Sequence, residues 1–123
     1  MSSTIADILL AEDDDDLREA MTDTLMDAGY RVAAVANGLD ALEWLRGAEA
    51  PPALILLDLM MPVMDGWRFR EEQRSDPKAA LVPVVILSAM RNPAASQGVE
   101  FLEKPVKVQP LLAVVARYCG PGR

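Results

Sequence analysis

Four segments of the 123-residue sequence place reactive polar side chains at or just beyond the end of an apolar run. They carry Glu12-Asp13, Asp58, Ser88 and Lys104. Three carboxylates within about 5 Å would repel by roughly 3 kcal/mol per pair at an effective dielectric near 20, so their convergence needs a cation. Oxygen ligands without His or Cys favour Mg²⁺, which retains waters and prefers phosphate substrates. This set of residues therefore indicates phosphate chemistry assisted by Mg²⁺.

Taken singly, each group also has a plainer interpretation. Residues 14–16 are first of all a solvated helix start, where negative charge favours the helix dipole and Asp16 with Glu19 can form a capping box. Asp58 alone could form a turn, and the hydroxyl and ammonium groups could be ordinary strand-end and surface features. An EF-hand does not fit, because no register of the acidic run supplies the required Gly and spaced ligands. A functional site is favoured over these structural interpretations only because all four groups follow strands of the same predicted arrangement.

Composition excludes several other kinds of site. The chain has no His, which removes Ser-His-Asp and Cys-His nucleophiles, HExxH zinc helices and His-ligated iron. Nineteen acidic and 12 basic residues give a net charge of −7, which argues against a nucleic-acid backbone as partner. The longest uncharged run, residues 79–90, is too short to span a membrane, and residues 1–7 lack signal-peptide features. Cys119 is the only cysteine, so we expect no internal disulfide and a cytoplasmic location.

Five apolar runs predict the strands of a parallel sheet. They lie at residues 8–11, 31–36, 53–57, 84–87 and 101–102. The run before Asp58 is uniformly aliphatic, as in a central strand covered on both faces. Strands that alternate with helices imply right-handed crossovers and a doubly wound α/β sheet. Functional groups of such sheets gather at the carboxyl ends of the strands, where the reactive segments lie.

Helices are predicted from apolar residues three and four positions apart. They lie near residues 17–28, 38–47, 65–74 and 108–118. We expect Asn37 to cap the second of them. The side chains expected to face the core from the second and the last helix are Leu39, Leu42, Leu45, Leu111, Leu112, Val115 and Val108.

The four reactive segments resemble the signatures of response-regulator receiver domains. They read ILLAEDD from Ile8, LLDLMMPVMDG from Leu56, VILSA from Val85 and FLEKP from Phe101. The resemblance covers about residues 7–118 and identifies residues 1–123 as a single, stand-alone receiver domain similar to chemotaxis regulators. It implies a flavodoxin-like five-stranded parallel sheet of order 2-1-3-4-5 and signal transduction in a two-component system or phosphorelay.

The resemblance implies that the chain accepts a phosphoryl group from a histidine kinase or a histidine phosphotransfer protein. The acceptor would be Asp58, as a transient aspartyl phosphate. Lys104 would neutralise the phosphoryl oxygens, and the Ser88 hydroxyl would hydrogen-bond one of them. Such a phosphoprotein is a signalling acceptor rather than an enzyme, although it promotes its own phosphorylation and dephosphorylation.

The cofactor implied by the resemblance is Mg²⁺, for which Mn²⁺ can substitute. Asp13, Asp58 and the main-chain carbonyl of Met60 would bind it directly. Glu12 would reach it through water. Glutamate at this first acidic position is a common variant in the family.

The resemblance also assigns residues that tune the signal. Phe101 would change rotamer when the loop after the fourth strand moves, although an ordinary core aromatic is the alternative. Met60 and Met90 occupy the two positions that set the phosphoryl lifetime, and neither can orient an attacking water, so we expect slow self-dephosphorylation. The Lys104-Pro105 peptide bond would be cis, which aims the lysine into the site.

The sequence departs from the family between Ser88 and Phe101. Only twelve residues lie there, fewer than receivers usually have. We therefore expect the family's fourth helix to be short or missing, with Asn92-Pro93 at its start and Gly98 at its end. Because the usual signalling face includes that helix, we expect a monomer that does not form the dimer built on this face. It would act either as a phosphorelay shuttle or on an unknown downstream protein through another surface.

Other functions remain as alternatives. A degenerate receiver would act as a phosphorylation-independent docking module, but it would lack Asp58, Lys104 or the acidic pair. A flavodoxin-type carrier would need a Ser/Thr-rich phosphate loop where the acidic run stands. A haloacid-dehalogenase phosphatase would need Asp-x-Asp, and residues 58–60 supply one aspartate only.

Overall fold

The computed structural model of the protein describes residues 5–89 and 99–122. Five strands lie in these ranges: β1 (Ile8–Ala11), β2 (Val32–Val35), β3 (Leu54–Asp58), β4 (Val84–Ser88) and β5 (Phe101–Glu103). The helices of the same ranges are α1 (Asp15–Asp27), α2 (Gly38–Gly47), α3 (Gly66–Ser75) and α4 (Val108–Cys119). All strand pairs are parallel, in the order β2-β1-β3-β4-β5. The predicted doubly wound sheet and its strand order are confirmed.

Two apolar layers cover the two faces of this sheet. Because successive side chains of a strand point to opposite faces, Leu9 belongs to one layer and Leu10 to the other. The first layer includes Phe69 and joins the sheet to α2 and α3. The second includes Leu25 and Leu111 and joins the sheet to α1 and α4. The central strands are thus buried on both sides, which leaves the strand ends as the place for polar groups.

Side-chain caps fix where α1, α2 and α3 begin, and in α3 the cap is Asp65 Oδ1, which accepts from the main-chain N–H of Arg68 at 2.9 Å. Asn37 Oδ1 accepts a hydrogen bond from the main-chain N–H of Asp40 at 2.8 Å, which confirms the predicted cap of α2. Asp14 Oδ1 accepts from the N–H of Leu17 at 3.0 Å and caps α1. The predicted capping box at Asp16 is wrong, because the helix starts before this residue and places it in the first turn.

Two of the side chains predicted to face the core are exposed. Leu39 is 37% exposed, and Val108 is 51% exposed. Leu39 lies on the flank of α2, whose buried stripe includes Ala41 instead. Val108 is the first residue of α4 and lies one turn before Leu111, the first residue that this helix buries. Val114 is also buried, although it was not among the predicted core residues. Helical spacing gives the direction of a side chain, but it does not show whether a neighbouring element covers that side chain.

The region between β4 and β5 is only partly described. The predicted short helix from Asn92 to Gly98, and Met90 before it, lie outside the described residues. None of the helices in the described ranges is long and apolar enough to cross a membrane.

Candidate functional site

The strands bring the predicted polar groups to one edge of the sheet. Glu12 follows β1, Asp58 and Ser88 are the last residues of β3 and β4, and Lys104 follows β5. The parallel register places these strand ends side by side, with Asp58 opposite Leu87. A pocket of about 300 Å³ opens at this edge. Its lining residues are Glu12, Asp13, Asp14, Asp58, Leu59, Met60, Leu87, Ser88, Ala89 and Lys104.

Three acidic residues form a cluster in this pocket. Carboxylate oxygens of Glu12, Asp13 and Asp58 all lie within 4.8 Å of one another. Glu12 is fully buried, and its Oε2 accepts a hydrogen bond from the main-chain N–H of Asp14 at 3.0 Å. Asp13 is exposed. In the described part of the chain this is the acidic group whose geometry suits a metal ion, and its hard oxygen ligands suit Mg²⁺.

Lys104 supplies the positive charge of the pocket. Its Nζ lies 2.7 Å from Glu12 Oε1 and 3.2 Å from Asp58 Oδ2. The contact with Glu12 is a close ion pair rather than an aligned hydrogen bond. Partial burial acts to lower the pKa of Lys104, but the two carboxylates outweigh it and raise the pKa, so the side chain stays an ammonium. The peptide bond from Lys104 to Pro105 is cis.

Asp58 is a buried carboxyl group with two close contacts. It is 3% exposed, and its Oδ1 accepts a hydrogen bond from the N–H of Met60 at 3.1 Å. Burial first, and then the nearby Glu12, raise the pKa of Asp58 to about 7, against the opposing effect of the Met60 N–H. Without a bound cation, a neutral solution therefore holds Asp58 partly protonated.

The other predicted site residues lie at different depths. Ser88 is buried and lines the pocket beside Asp58. Met60 also lines it but is 75% exposed, at its rim. Phe101 pairs with Ile86 in the sheet and is partly buried against the layer formed with α2 and α3. The structure thus brings the catalytic and metal candidates together, while Phe101 lies on β5, two strands away from the strand that carries Asp58.

A tight loop after β3 fixes the entry to α3. Val63 has φ +68°, and the N–H of Met64 donates to the carbonyl of Pro62 at 2.7 Å, which forms a strained γ-turn. The carbonyl of Met64 in turn accepts from the N–H of Gly38 at 2.8 Å, so this loop contacts the start of α2. A Cβ on Gly38 would meet that carbonyl at 2.6 Å, and this close approach requires glycine.

Sequence reasoning missed one residue that touches the site. Arg18, in the first turns of α1, donates from Nη1 to the main-chain carbonyl of Glu12 at 2.9 Å. A cation is unfavourable near the N-terminus of a helix, because the helix dipole presents positive charge there. That placement of Arg18, directly behind an acidic run, was the signal available in the sequence.

Comparisons with known proteins agree with this geometry. The family model of the response regulator receiver domain matches residues 8–116. The chain is 34% identical over 115 residues to Response regulator Rre1 of Synechocystis sp., covering 88% of this chain and 49% of the relative. It therefore spans about half the length of that relative.

Solved structures give the same result. The chemotaxis response regulator CheY4 of Vibrio cholerae superposes with a TM-score of 0.82 at 30% identity, over 93% of this chain and 98% of that one. A second structure is the receiver domain of sensor histidine kinase PA1611 from Pseudomonas aeruginosa PAO1, solved with a magnesium ion in its active-site cleft. It superposes with a TM-score of 0.81 at 29% identity, over 92% of this chain and 96% of that one. The chain belongs to the response-regulator receiver domain family of two-component signalling.

Proposed function

We propose that Asp58 is the phosphoacceptor of this receiver domain and takes its phosphoryl group from a phosphohistidine of a kinase or phosphotransfer protein. One observation carries the proposal: a buried carboxylate lies 3.2 Å from the Lys104 ammonium, with Ser88 lining the same pocket. Asp65, the next aspartate along the chain, is exposed and caps α3 instead. This environment distinguishes Asp58 from Asp65. Glu12 shares the burial and the Lys104 contact, and the match to the receiver family is what favours Asp58 over Glu12 as the acceptor.

The reaction requires ionised Asp58. One of its carboxylate oxygens attacks phosphorus, the phosphorus–nitrogen bond of the phosphohistidine breaks, and the departing imidazole keeps the electron pair and takes up a proton. The product is a mixed anhydride whose hydrolysis ends the signal. Lys104 favours the ionised nucleophile and neutralises charge on the transferred group, and the Ser88 hydroxyl donates a hydrogen bond to it.

The acidic cluster fits a divalent cation. Oxygen ligands lie within 4.8 Å of one another, and Glu12 Oε1 is buried without an aligned donor. Glu12, Asp13, Asp58 and the main-chain carbonyl of Met60 would hold Mg²⁺, and the same oxygen ligands would accept Mn²⁺. When bound, the ion neutralises phosphoryl oxygens beside Lys104.

The output of the domain follows from its remaining residues. Phe101 changes rotamer when Ser88 binds the phosphoryl group, and Met60 and Met90 give a long phosphoryl lifetime because a thioether cannot orient water. We propose that residues 1–123 act as one cytoplasmic, monomeric domain that promotes its own phosphorylation and dephosphorylation. Its partners are the phosphoryl donor and a downstream protein, without nucleic acid or membrane contact.

Incubation with Mg²⁺ and acetyl phosphate or phosphoramidate tests the proposal. Intact-mass measurement should find one added phosphoryl group, and peptide mapping should place it on Asp58. Asp58→Asn should abolish the label, while Asp65→Asn, a matched change at a capping residue, should retain it. A label elsewhere, or a wild-type chain left unmodified by both small donors and a panel of histidine kinases, would instead favour a docking module.

A further inference from the structure

Arg18 binds the main chain of the acidic loop from the side of α1. Its Nη1 donates to the carbonyl of Glu12 at 2.9 Å and reaches the carbonyl of Asp13 at 3.5 Å. Its Nη2 lies 2.6 Å from Asp15 Oδ1. The Arg18 side chain is 23% exposed, whereas that of Asp15 is 85% exposed. Most of the Arg18 side chain is therefore covered, and its Nη1 contacts two consecutive carbonyl groups, the closer of which is that of Glu12.

Those carbonyls belong to the residues that carry two of the clustered carboxylates. The N–H of Glu12 still pairs with the carbonyl of Val35 at 3.0 Å, so the chain leaves the sheet at the Glu12 carbonyl, where Arg18 binds. The two side chains of Glu12 and Asp13 depart from this short segment toward Asp58. Fixing the two carbonyls fixes the direction of the main chain, and hence the start of each side chain.

We propose that Arg18 is a positioning residue of the cation site, which holds the acidic loop so that Glu12 and Asp13 face Asp58 before a cation binds. The inference rests on the proposed function, because it assigns Arg18 to the Mg²⁺ site of that function. Arg18 touches neither the phosphoryl group nor the nucleophile; it acts through the main chain of the ligands.

Charge alone would act in the opposite direction. A guanidinium near the site repels a divalent cation, so its removal would tighten Mg²⁺ binding if Arg18 acted only by its charge. Removal of a positioning residue weakens binding instead, because the carboxylates must then be ordered when the ion binds. Lysine keeps the charge but lacks the planar fork through which Arg18 binds the loop carbonyls with Nη1 and Asp15 with Nη2. The Ala and Lys variants of Arg18 therefore separate the two effects.

Calorimetric titration of the full chain with Mg²⁺, without phosphodonor, is the test. Arg18→Ala and Arg18→Lys should each raise the Kd for Mg²⁺ about tenfold, the loss expected when charge-assisted hydrogen bonds to the loop are removed. Arg68→Ala should leave the Kd unchanged, because Arg68 pairs with Glu72 within α3 at 3.3 Å and does not contact the loop. Tighter binding by Arg18→Ala, or a wild-type Kd for Arg18→Lys, would overturn the proposal.

A second measurement excludes a purely structural role. At saturating Mg²⁺ the Arg18 variants should be phosphorylated by acetyl phosphate at the wild-type rate, whereas at limiting Mg²⁺ they should be slower. An equal loss of rate at both concentrations would contradict positioning. If Arg18→Ala does not fold, Arg18→Lys still decides the question, because it preserves charge and most of the side chain. If the wild-type chain binds Mg²⁺ but accepts no phosphoryl group, the proposed function is wrong, and the Mg²⁺ affinities of the Arg18 variants still test the positioning role of Arg18.

Discussion

The balance of charge at the site is uneven. Glu12, Asp13 and Asp58 bring three carboxyl groups within 4.8 Å of one another, and Lys104 offers one ammonium to two of them. Asp58 is the most affected, since burial and the neighbouring carboxylates raise its pKa to about 7. Binding of either a proton or a cation at this site therefore stabilises the folded protein, and both effects on stability can be measured.

The proton effect makes the cation-free protein less stable as the pH rises. The pKa of Asp58 is raised from 3.8 to about 7 on folding, so the folded chain binds the proton more tightly than the unfolded chain. The contribution to stability is present below the unfolded pKa and is lost as the pH rises from about 4 through 7. In EDTA, the Tm of wild type relative to Asp58→Asn should fall between pH 5 and pH 8. A Tm difference that is constant across this range would contradict the raised pKa.

Two neighbouring aspartates of the acidic run have different roles, because one caps a helix and the other belongs to the acidic cluster. Asp14 caps α1, whereas Asp13, its neighbour, faces the cation site. Asp14→Ala should lower the free energy of unfolding by about 1 kcal/mol, the usual cost of losing a helix cap. It should raise the Kd for Mg²⁺ only slightly, because Asp14 lines the pocket without belonging to the clustered carboxylates. Urea denaturation and Mg²⁺ titration measure the two quantities. Asp16→Ala, in the first turn without the capping contact, is the control and should have a smaller effect on stability.

The loop after β3 stores strain that a single substitution should release. Val63 adopts φ +68°, a conformation that is unfavourable for a β-branched residue, and its side chain is 78% exposed. Val63→Gly should stabilise the fold by about 1 kcal/mol in urea denaturation, because glycine adopts positive φ freely and little burial is lost. Val63→Ala retains a Cβ and should give no such gain. Equal effects of the two variants would show that the turn is not strained.

Within residues 5–89 and 99–122, the sequence was sufficient to predict the strands and helices and the polar residues at strand ends. The positions of Asp58 and Ser88 at the ends of β3 and β4 were predicted correctly, because an aliphatic run ends visibly at a polar residue. Leu39 and Val108 were not, because helical periodicity gives the angle of a side chain but not whether a neighbouring element reaches it. Arg18 was missed because its partners are main-chain carbonyls, so the one signal in the sequence was a cation near the start of a predicted helix.

The whole molecule brings together groups that are distant in sequence. β1 pairs with β3, and β3 with β4, so the acidic loop, Asp58 and Ser88 lie on adjacent strands. Lys104 reaches them from beyond β5, the edge strand. Any ligand that binds across these strand ends therefore stabilises the folded chain as a whole.

A thermal titration with Mg²⁺ checks this coupling. The Tm should rise with Mg²⁺ at constant ionic strength, by an amount equivalent to about 2.7 kcal/mol at one hundred times the Kd. Asp13→Asn should raise the Tm of the cation-free protein, because one repelling charge is removed, and should blunt the response to Mg²⁺. A melting curve that does not change across a millimolar Mg²⁺ titration would show that the acidic residues do not bind the ion and form only a solvated helix start.

The position of β5 at the edge of the sheet also bears on biosynthesis. Chains emerge from the ribosome with the N-terminus first, and the three carboxylates are complete once residue 58 has been added, whereas the ammonium follows 46 residues later (104 − 58 = 46). A nascent chain that has folded β1 to β4 would hold the acceptor without Lys104. Under the proposed function, such a copy lacks the charge that neutralises the transferred group, so we expect it to accept the phosphoryl group more slowly than the finished chain does.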